Sequence, residues 1–206
     1  MNKLNMYCLC LNDEHYNIVK DLKYIPVGLG NNKFSSGWLK DNDGDNISNK
    51  NSYYGEYTFH YWFWKNKIDL IDDGTWIGFC AHRRFWLNNK KIVSMPRKKD
   101  FLSSIPVEWE NYDTILGQQI FINKMKISKL IKHGLRSLVN YPPAILEKNR
   151  NIKFHFNTFH GFGNLDKAIN LLNVDDREDF RNFTTKNTSY NMGNMFICKS
   201  KKIIKS

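Results

Sequence analysis

Cysteine is scarce in this chain, at 4 of 206 residues: Cys8, Cys10, Cys80 and Cys198. Cys8 and Cys10 lie two apart on an expected strand, so they share one face and are badly placed to bridge each other. The four positions also lack the paired spacing of a zinc site. They read as buried, reduced, small hydrophobes in a cytoplasmic protein. Proline is low, at 5 residues, and no Pro/Gly/Ser-rich stretch breaks the chain, so a single domain over 1–206 is expected. No apolar run approaches the ~18 residues that a bilayer span requires. The first segment is interrupted by Asn12-Asp13-Glu14 with no small-residue cleavage site, and is not expected to be a signal peptide. There is no internal repeat.

Acidic residues are also few. Asp+Glu number 20 against 31 Lys+Arg, a formal charge of +11. The imbalance is concentrated late in the chain. Residues 1–96 carry 12 basic and 10 acidic side chains, and residues 97–206 carry 19 and 10. A basic half attracts phosphate, whether on nucleotides, nucleic acid or an anionic membrane. Aromatics, by contrast, are plentiful: 14 Phe, 10 Tyr and 6 Trp are enough for a sizeable core.

Apolar patterning predicts strands at 4–11, 24–28, 75–80 and 195–198. It predicts helices at 14–22, 52–66, 115–132 and 166–172, the last with Asn164 as N-cap. The run Tyr53 to Trp64 is apolar nearly all round, which predicts a helix buried on several sides. Strands alternating with helices indicate an α/β layer architecture.

Four segments can carry chemistry. Asp41 to Asn51 clusters carboxylates around Gly44. Asp43 and Asp45 are candidate ligands for a divalent cation, and a tight self-capping Asx turn is the plainer reading. The strand 76–80 delivers His82, Arg83 and Arg84 to its carboxyl end, where ligand crevices form in open α/β sheets. Guanidinium forks there can grip a diphosphate. His155 to Asp166 holds two histidines and a Gly-x-Gly before a helix start, a candidate anion or sugar subsite at His160. Ser189 to Cys198 offers Asn191 and Asn194 as hydrogen-bonding groups for sugar hydroxyls.

Several blocks, in order, resemble a known family. They are Ile25-Pro26-Val27-Gly28-Leu29-Gly30; Gly44-Asp45-Asn46-Ile47-Ser48 with Lys50-Asn51; Tyr54-Gly55-Glu56-Tyr57-Thr58 with Tyr61-Trp62; and Ile77-Gly78-Phe79-Cys80 with Arg83-Arg84-Phe85. His160-Gly161, Asn164 to Ile169 and Asn194 to Ile197 continue the match. The pattern resembles a bacterial glycosyltransferase family of capsule, exopolysaccharide and O-antigen loci, long catalogued as a domain of unknown function. Its members with an assigned activity look like galactofuranosyltransferases. Two features depart from it. Ala81 and His82 stand where many relatives have a His and a Tyr, and the chain stops at Ser206, where relatives usually continue, so a shortened C-terminus is expected.

The resemblance implies a GT-A-like sugar-nucleotide-binding sheet flanked by helices. It also implies transfer of a hexose, with galactofuranose the indicated sugar, from a UDP-sugar to a hydroxyl of a lipid-linked or other cell-surface glycan intermediate. Arg83 or Arg84 would stabilise departing UDP, either alone or with Mn2+ or Mg2+ on Asp43 and Asp45. Asn46, Ser48, Asn51 and His82 would bind donor, and His160 would contact acceptor or phosphate. Glu56, expected inside an aromatic helix with its pKa raised by desolvation, and Asp166 are candidate bases. A cytoplasmic location is expected, at the inner face of the membrane if the basic half meets anionic lipid. One alternative is an inactive relative that still binds sugar nucleotide. A basic nucleic-acid-binding module is disfavoured, because the aromatics read as core and no nucleic-acid motif is present.

Overall fold

A computed structural model describes residues 3–88, 95–191 and 193–199. Lys201 to Lys205, at the chain end where a shortened terminus was expected, lie outside the described residues, as do Met1, Asn2 and Met192. Contacts group the chain into two compact units: residues 1–117 with 193–206, and residues 118–192.

The first unit is built on β1 (Leu4–Cys10), α1 (Tyr16–Asp21), β2 (Ile25–Gly28), β3 (Leu39–Lys40), α2 (Asn51–Tyr54), α3 (Tyr57–Asn66), β4 (Trp76–Ala81) and β5 (Thr114–Leu116). The second contains β6 (Gln119–Phe121), α4 (Ile127–Asn140), α5 (Ile152–His160), α6 (Asn164–Ile169), α7 (Val174–Lys186) and β7 (Ser189–Asn191). The chain then re-enters the first unit as β8 (Phe196–Cys198).

The fold is α/β, with a mixed six-stranded sheet of order β3-β2-β1-β4-β8-β5. β1 to β4 run parallel, while β8 is antiparallel to both β4 and β5. Side chains of period two split between the two sheet faces. Met6, Cys8 and Cys10 of β1 join Val19 and Leu22 from the α1 region, with Trp76 and Cys80 of β4. Tyr7 and Leu9 point the other way and meet Phe59, Trp62 and Phe63 of α3, with Ile77 and Phe79 of β4. Buried on both faces, these strands read as continuous apolar runs, which is why they were legible. All four cysteines are free and buried. Burial pushes the Cys198 thiol up to about 12.

Two expected helices are corrected. The aromatic run is two helices, broken at Gly55, whose φ of +54° and ψ of −130° suit only glycine. It is also not buried all round. Phe59, Trp62 and Phe63 face the sheet, while Tyr53, Tyr54, Tyr57 and Trp64 are exposed, with the Lys65 ammonium 3.8 Å from the Trp64 ring centre. The expected helix 115–132 is instead β5, a turn, β6 and only then α4. The β-branched residues Thr114, Ile115 and Ile120 pair with strands some 70 or more residues away in sequence, which local periodicity cannot register. At the start of α6, Gly163 rather than Asn164 occupies the N-cap.

In the second unit, β6 pairs antiparallel with β7. α4 lies close on α5 at Gly134, where a Cβ would come within 3.0 Å of the Thr158 methyl. Leu130, Ala144 and Phe154 form the apolar centre. Beside it, the guanidinium of fully buried Arg150 donates to the carbonyls of Ala144, Asn123, Met125 and Ile145 at 2.7–3.0 Å. That single side chain closes the loops on either side of α4.

Candidate functional site

The connections of the parallel strands create one position where a ligand crevice is dictated by topology. β1 leads through α1 to β2 on one side, and β3 leads through α2 and α3 to β4 on the other, so strand order reverses between β1 and β4. Loops at the carboxyl ends of the two strands diverge there. A crevice of about 410 Å3 opens at that end, within the size range of small-molecule sites. Leu9, Leu11 and Leu29 give it an apolar floor at the ends of β1 and β2, and Asn51, Glu56, His82 and Asn194 bring polar groups to it. Tyr53 and Tyr54 complete the rim, and Tyr53 is 88% exposed.

His82 is the first residue after β4, and its backbone amide bonds the Leu9 carbonyl at 3.1 Å. Its ring lies 4.8 Å from that of His15, centre to centre, in the loop after β1. Partial burial and the facing His15 hold the His82 pKa below its usual value, with a lesser contribution from Arg83, against the opposing hydrogen bond to the Leu9 carbonyl and the charge of Glu56. His82 is thereby biased to the neutral form at neutral pH. His15 Nδ1 is buried without a partner. The sequence reading missed His15, because only the sheet brings residues 15 and 82 together.

Glu56 stands at the N-cap of α3, half-buried and lining the crevice, which corrects the expectation of a helix-interior carboxylate. Arg83 and Arg84 are exposed, and they sit in a turn rather than on opposite faces of a strand. Ala81 and Arg84 exchange both backbone hydrogen bonds, at 2.9 and 3.2 Å. The Arg84 guanidinium lies against Gly193, with Nη1 3.2 Å from where a Cβ would stand, beside crevice-lining Asn194.

The crevice wall is held from behind by buried Asp41. One carboxylate oxygen accepts the Gly30 amide at 2.7 Å, and the other accepts the Thr58 hydroxyl at 2.6 Å. The Thr58 oxygen in turn accepts from Asn51 Nδ2 at 2.9 Å, and the same amide group donates to the Gly55 carbonyl at 2.8 Å. Burial raises the Asp41 carboxyl above the usual carboxylate range, and the two donors pull it part of the way back. Asp41 thus orients Asn51 and the Gly55 turn without reaching the crevice.

Asp43 and Asp45 are placed elsewhere. Asp43 Oδ1 accepts Trp62 Nε1 at 2.6 Å, and Asp45 Oδ1 accepts the Tyr61 hydroxyl at 3.0 Å, so the loop is tied onto α3. Asn66 spans the same loop by accepting the Asp45 amide and donating to the Asp45 carbonyl. Asn46 accepts from the backbone and hydroxyl of Ser48, and Ser48 is buried. These are the bonds of a self-capping turn. Among the described residues no group of three His, Cys, Asp or Glu side chains stands close enough to hold a metal ion.

The remaining candidates lie in the second unit. Asp166 pairs with Lys153 at 2.7 Å in a half-exposed bridge lining a pocket of about 410 Å3. His160 and Asn191 line a separate pocket of about 550 Å3 with Phe156, Phe180, Tyr190 and His155. Burial there and the nearby His160 lower the His155 pKa. The structure therefore gathers Asn51, Glu56, His82 and Asn194 at one crevice, with Arg84 beside it. It places Asp43, Asp45, Asn46 and Ser48 in a packed turn.

Comparison with known proteins agrees with this architecture. The family model described as "Domain of unknown function (DUF4422)" matches residues 8–205. No curated protein matches the chain. The apo structure of WbbM, described as a bifunctional glycosyltransferase, is similar with a TM-score of 0.60 at 20% identity, covering 99% of this chain and 35% of that one. This likeness shows the fold, and the chain spans only that 35% of the neighbour's length.

Proposed function

The chain belongs to the DUF4422 family, and on that premise we propose that it is a glycosyltransferase whose donor site is the crevice at the carboxyl ends of β1, β2 and β4. The observation that carries the proposal is the convergence of His82, Glu56, Asn51 and Asn194 at the point where strand order reverses. The described fold neighbour, a glycosyltransferase, supports the reaction class. The proposed donor is a UDP-hexose, with galactofuranose the sugar tested first, and the proposed acceptor is a hydroxyl of a cell-surface glycan intermediate.

The reaction forms a bond between the acceptor oxygen and the anomeric carbon and breaks that carbon's bond to the β-phosphate oxygen. UDP leaves with the electron pair. The hydroxyl proton passes to a base, for which His82 is the proposed group. It is held neutral by burial and by His15, and it is placed beside Glu56, whose carboxylate would stabilise the imidazolium as it forms. Arg84, with Arg83 next to it, would take up the charge developing on the diphosphate. Tyr53 and Tyr54 present exposed rings on which a uracil can stack. Asn51 and Asn194 would bond hydroxyls of the donor. The carboxylates of Asp43 and Asp45 are engaged by Trp62 and Tyr61, and the proposal assigns the diphosphate to the arginines.

Thermal-shift titration with UDP and UDP-sugars, with EDTA or Mn2+, tests the reading. UDP at 100 times its dissociation constant should stabilise the fold by about 2.7 kcal/mol, and EDTA should not remove the shift. A shift abolished by EDTA would return the diphosphate to a metal. UDP release unchanged in both Arg83→Ala and Arg84→Ala would end the arginine assignment. Binding without turnover of any UDP-hexose would leave an inactive sugar-nucleotide-binding relative.

A further inference from the structure

The apolar face of α4 is wider than the part of it that α5 covers. Leu130, Gly134 and Ser137 are buried toward α5. Ile127, Ile131, Leu135 and Val139, four residues apart, are 59%, 60%, 63% and 72% exposed. At about 100° per residue, this spacing spreads the four over a stripe of roughly 120° along the whole helix. Isolated exposed leucines or isoleucines need no explanation, but an aligned row of four β-branched and leucine side chains over three turns does.

Charge indicates what the stripe faces. Lys132, Arg136 and Lys129 follow the apolar row around the helix, and Lys124 and Lys126 precede it. From residue 114 to residue 146 there is no Asp or Glu at all. An apolar stripe bordered by cations, with no compensating acid, is the pattern of a helix lying in the plane of a membrane interface. There the apolar row sinks below the headgroups and the basic row meets anionic lipid. No helix among the described residues is long and apolar enough to cross a membrane.

We propose that α4 is a membrane-docking helix, inserting Ile127, Ile131, Leu135 and Val139 into an anionic lipid surface. The inference rests on α4 alone and is independent of the transferase reading. If that reading holds, the helix would hold the enzyme at the surface where a lipid-linked acceptor resides.

Cosedimentation of the full chain with vesicles tests it, comparing pure phosphatidylcholine with a 70:30 mixture of phosphatidylcholine and phosphatidylglycerol. Partitioning should rise about tenfold or more with the anionic lipid and fall with added salt. The pair Ile131→Asp and Leu135→Asp should lower it about tenfold or more at unchanged Tm, because both positions are exposed. The triple reversal Lys129→Glu, Lys132→Glu and Arg136→Glu should remove the preference for phosphatidylglycerol. A Trp placed by Leu135→Trp should be quenched by lipids brominated along the acyl chain, beyond the wild-type signal. Undiminished binding in Ile131→Asp with Leu135→Asp, or no binding to phosphatidylglycerol vesicles, overturns the proposal. So does a wild-type dimer that these substitutions convert to monomer without vesicle binding, which would assign the stripe to a second copy. Loss of vesicle binding with UDP stabilisation intact separates this failure from failure of the donor site.

Discussion

At the scale of the residue, His82 and Arg150 carry the most for their size. Replacing His82 by Ala removes the proposed base from a half-exposed turn. We expect turnover to drop 10²- to 10⁴-fold, UDP affinity to change little, and Tm to hold within a degree or two. Because a general base works in its neutral form, a pKa held below the usual histidine value extends the active plateau to lower pH. The acid limb of the rate profile should lie below about 6.5 in wild type. It should shift upward in His15→Ala, which removes a neighbour opposing protonation. Arg150→Met leaves up to four carbonyls without their donor inside the second unit, and should cost about 3 kcal/mol or more by urea unfolding.

At the scale of the element, α3 joins the core to the crevice. His60 lies between the Phe79 and Phe196 rings, and its Nε2 is buried without a partner. Burial lowers its pKa to about 4. The unfolded chain therefore binds this proton more readily than the folded one. Stability is complete above the unfolded value of about 6.5, declines as pH falls from there to about 4, and changes no further below. The full span is roughly 3 kcal/mol, visible as a fall in Tm between pH 7 and 4 that is reduced in His60→Phe. Gly55 acts through the backbone alone. A Cβ there meets nothing within 4 Å, yet the dihedral angles exclude other residues. Gly55→Ala should cost about 1–3 kcal/mol and weaken nucleotide binding, since Asn51 is held by the Gly55 carbonyl.

At the scale of the whole molecule, the sheet encloses its thiols. Cys8 and Cys80 are cross-strand neighbours in the parallel β1–β4 pair, and all four cysteines are buried and free. Contact with neighbouring thiols, together with burial, raises the Cys8 and Cys10 thiols, and burial alone raises Cys198, so these three form little thiolate at pH 8. Titration with an aromatic disulfide reagent should find essentially no fast-reacting thiol in the native protein and all four after denaturation. Reducing agent should leave Tm unchanged. The charge of +11 belongs to the same scale: if α4 docks as proposed, it would draw the protein toward anionic lipid in a salt-dependent way, and the apolar row would supply the contact that charge alone lacks.

The amino-acid sequence by itself determined the α/β class, the buried core strands and the reduced cysteines, because strands buried on both faces write themselves as uninterrupted apolar runs around Met6–Cys10 and Trp76–Ala81. It also determined that His82 leaves the end of a core strand, since a strand's end is a local property. Tertiary structure alone decided which candidates meet. Asn51, Glu56, His82 and Asn194 are drawn together by strand order, and Asp43 and Asp45 are drawn onto Trp62 and Tyr61. It decided, too, that Tyr53 and the α4 row face outward although their composition matches the core. Periodicity records that a face is apolar, but only the packed chain determines what, if anything, covers that face.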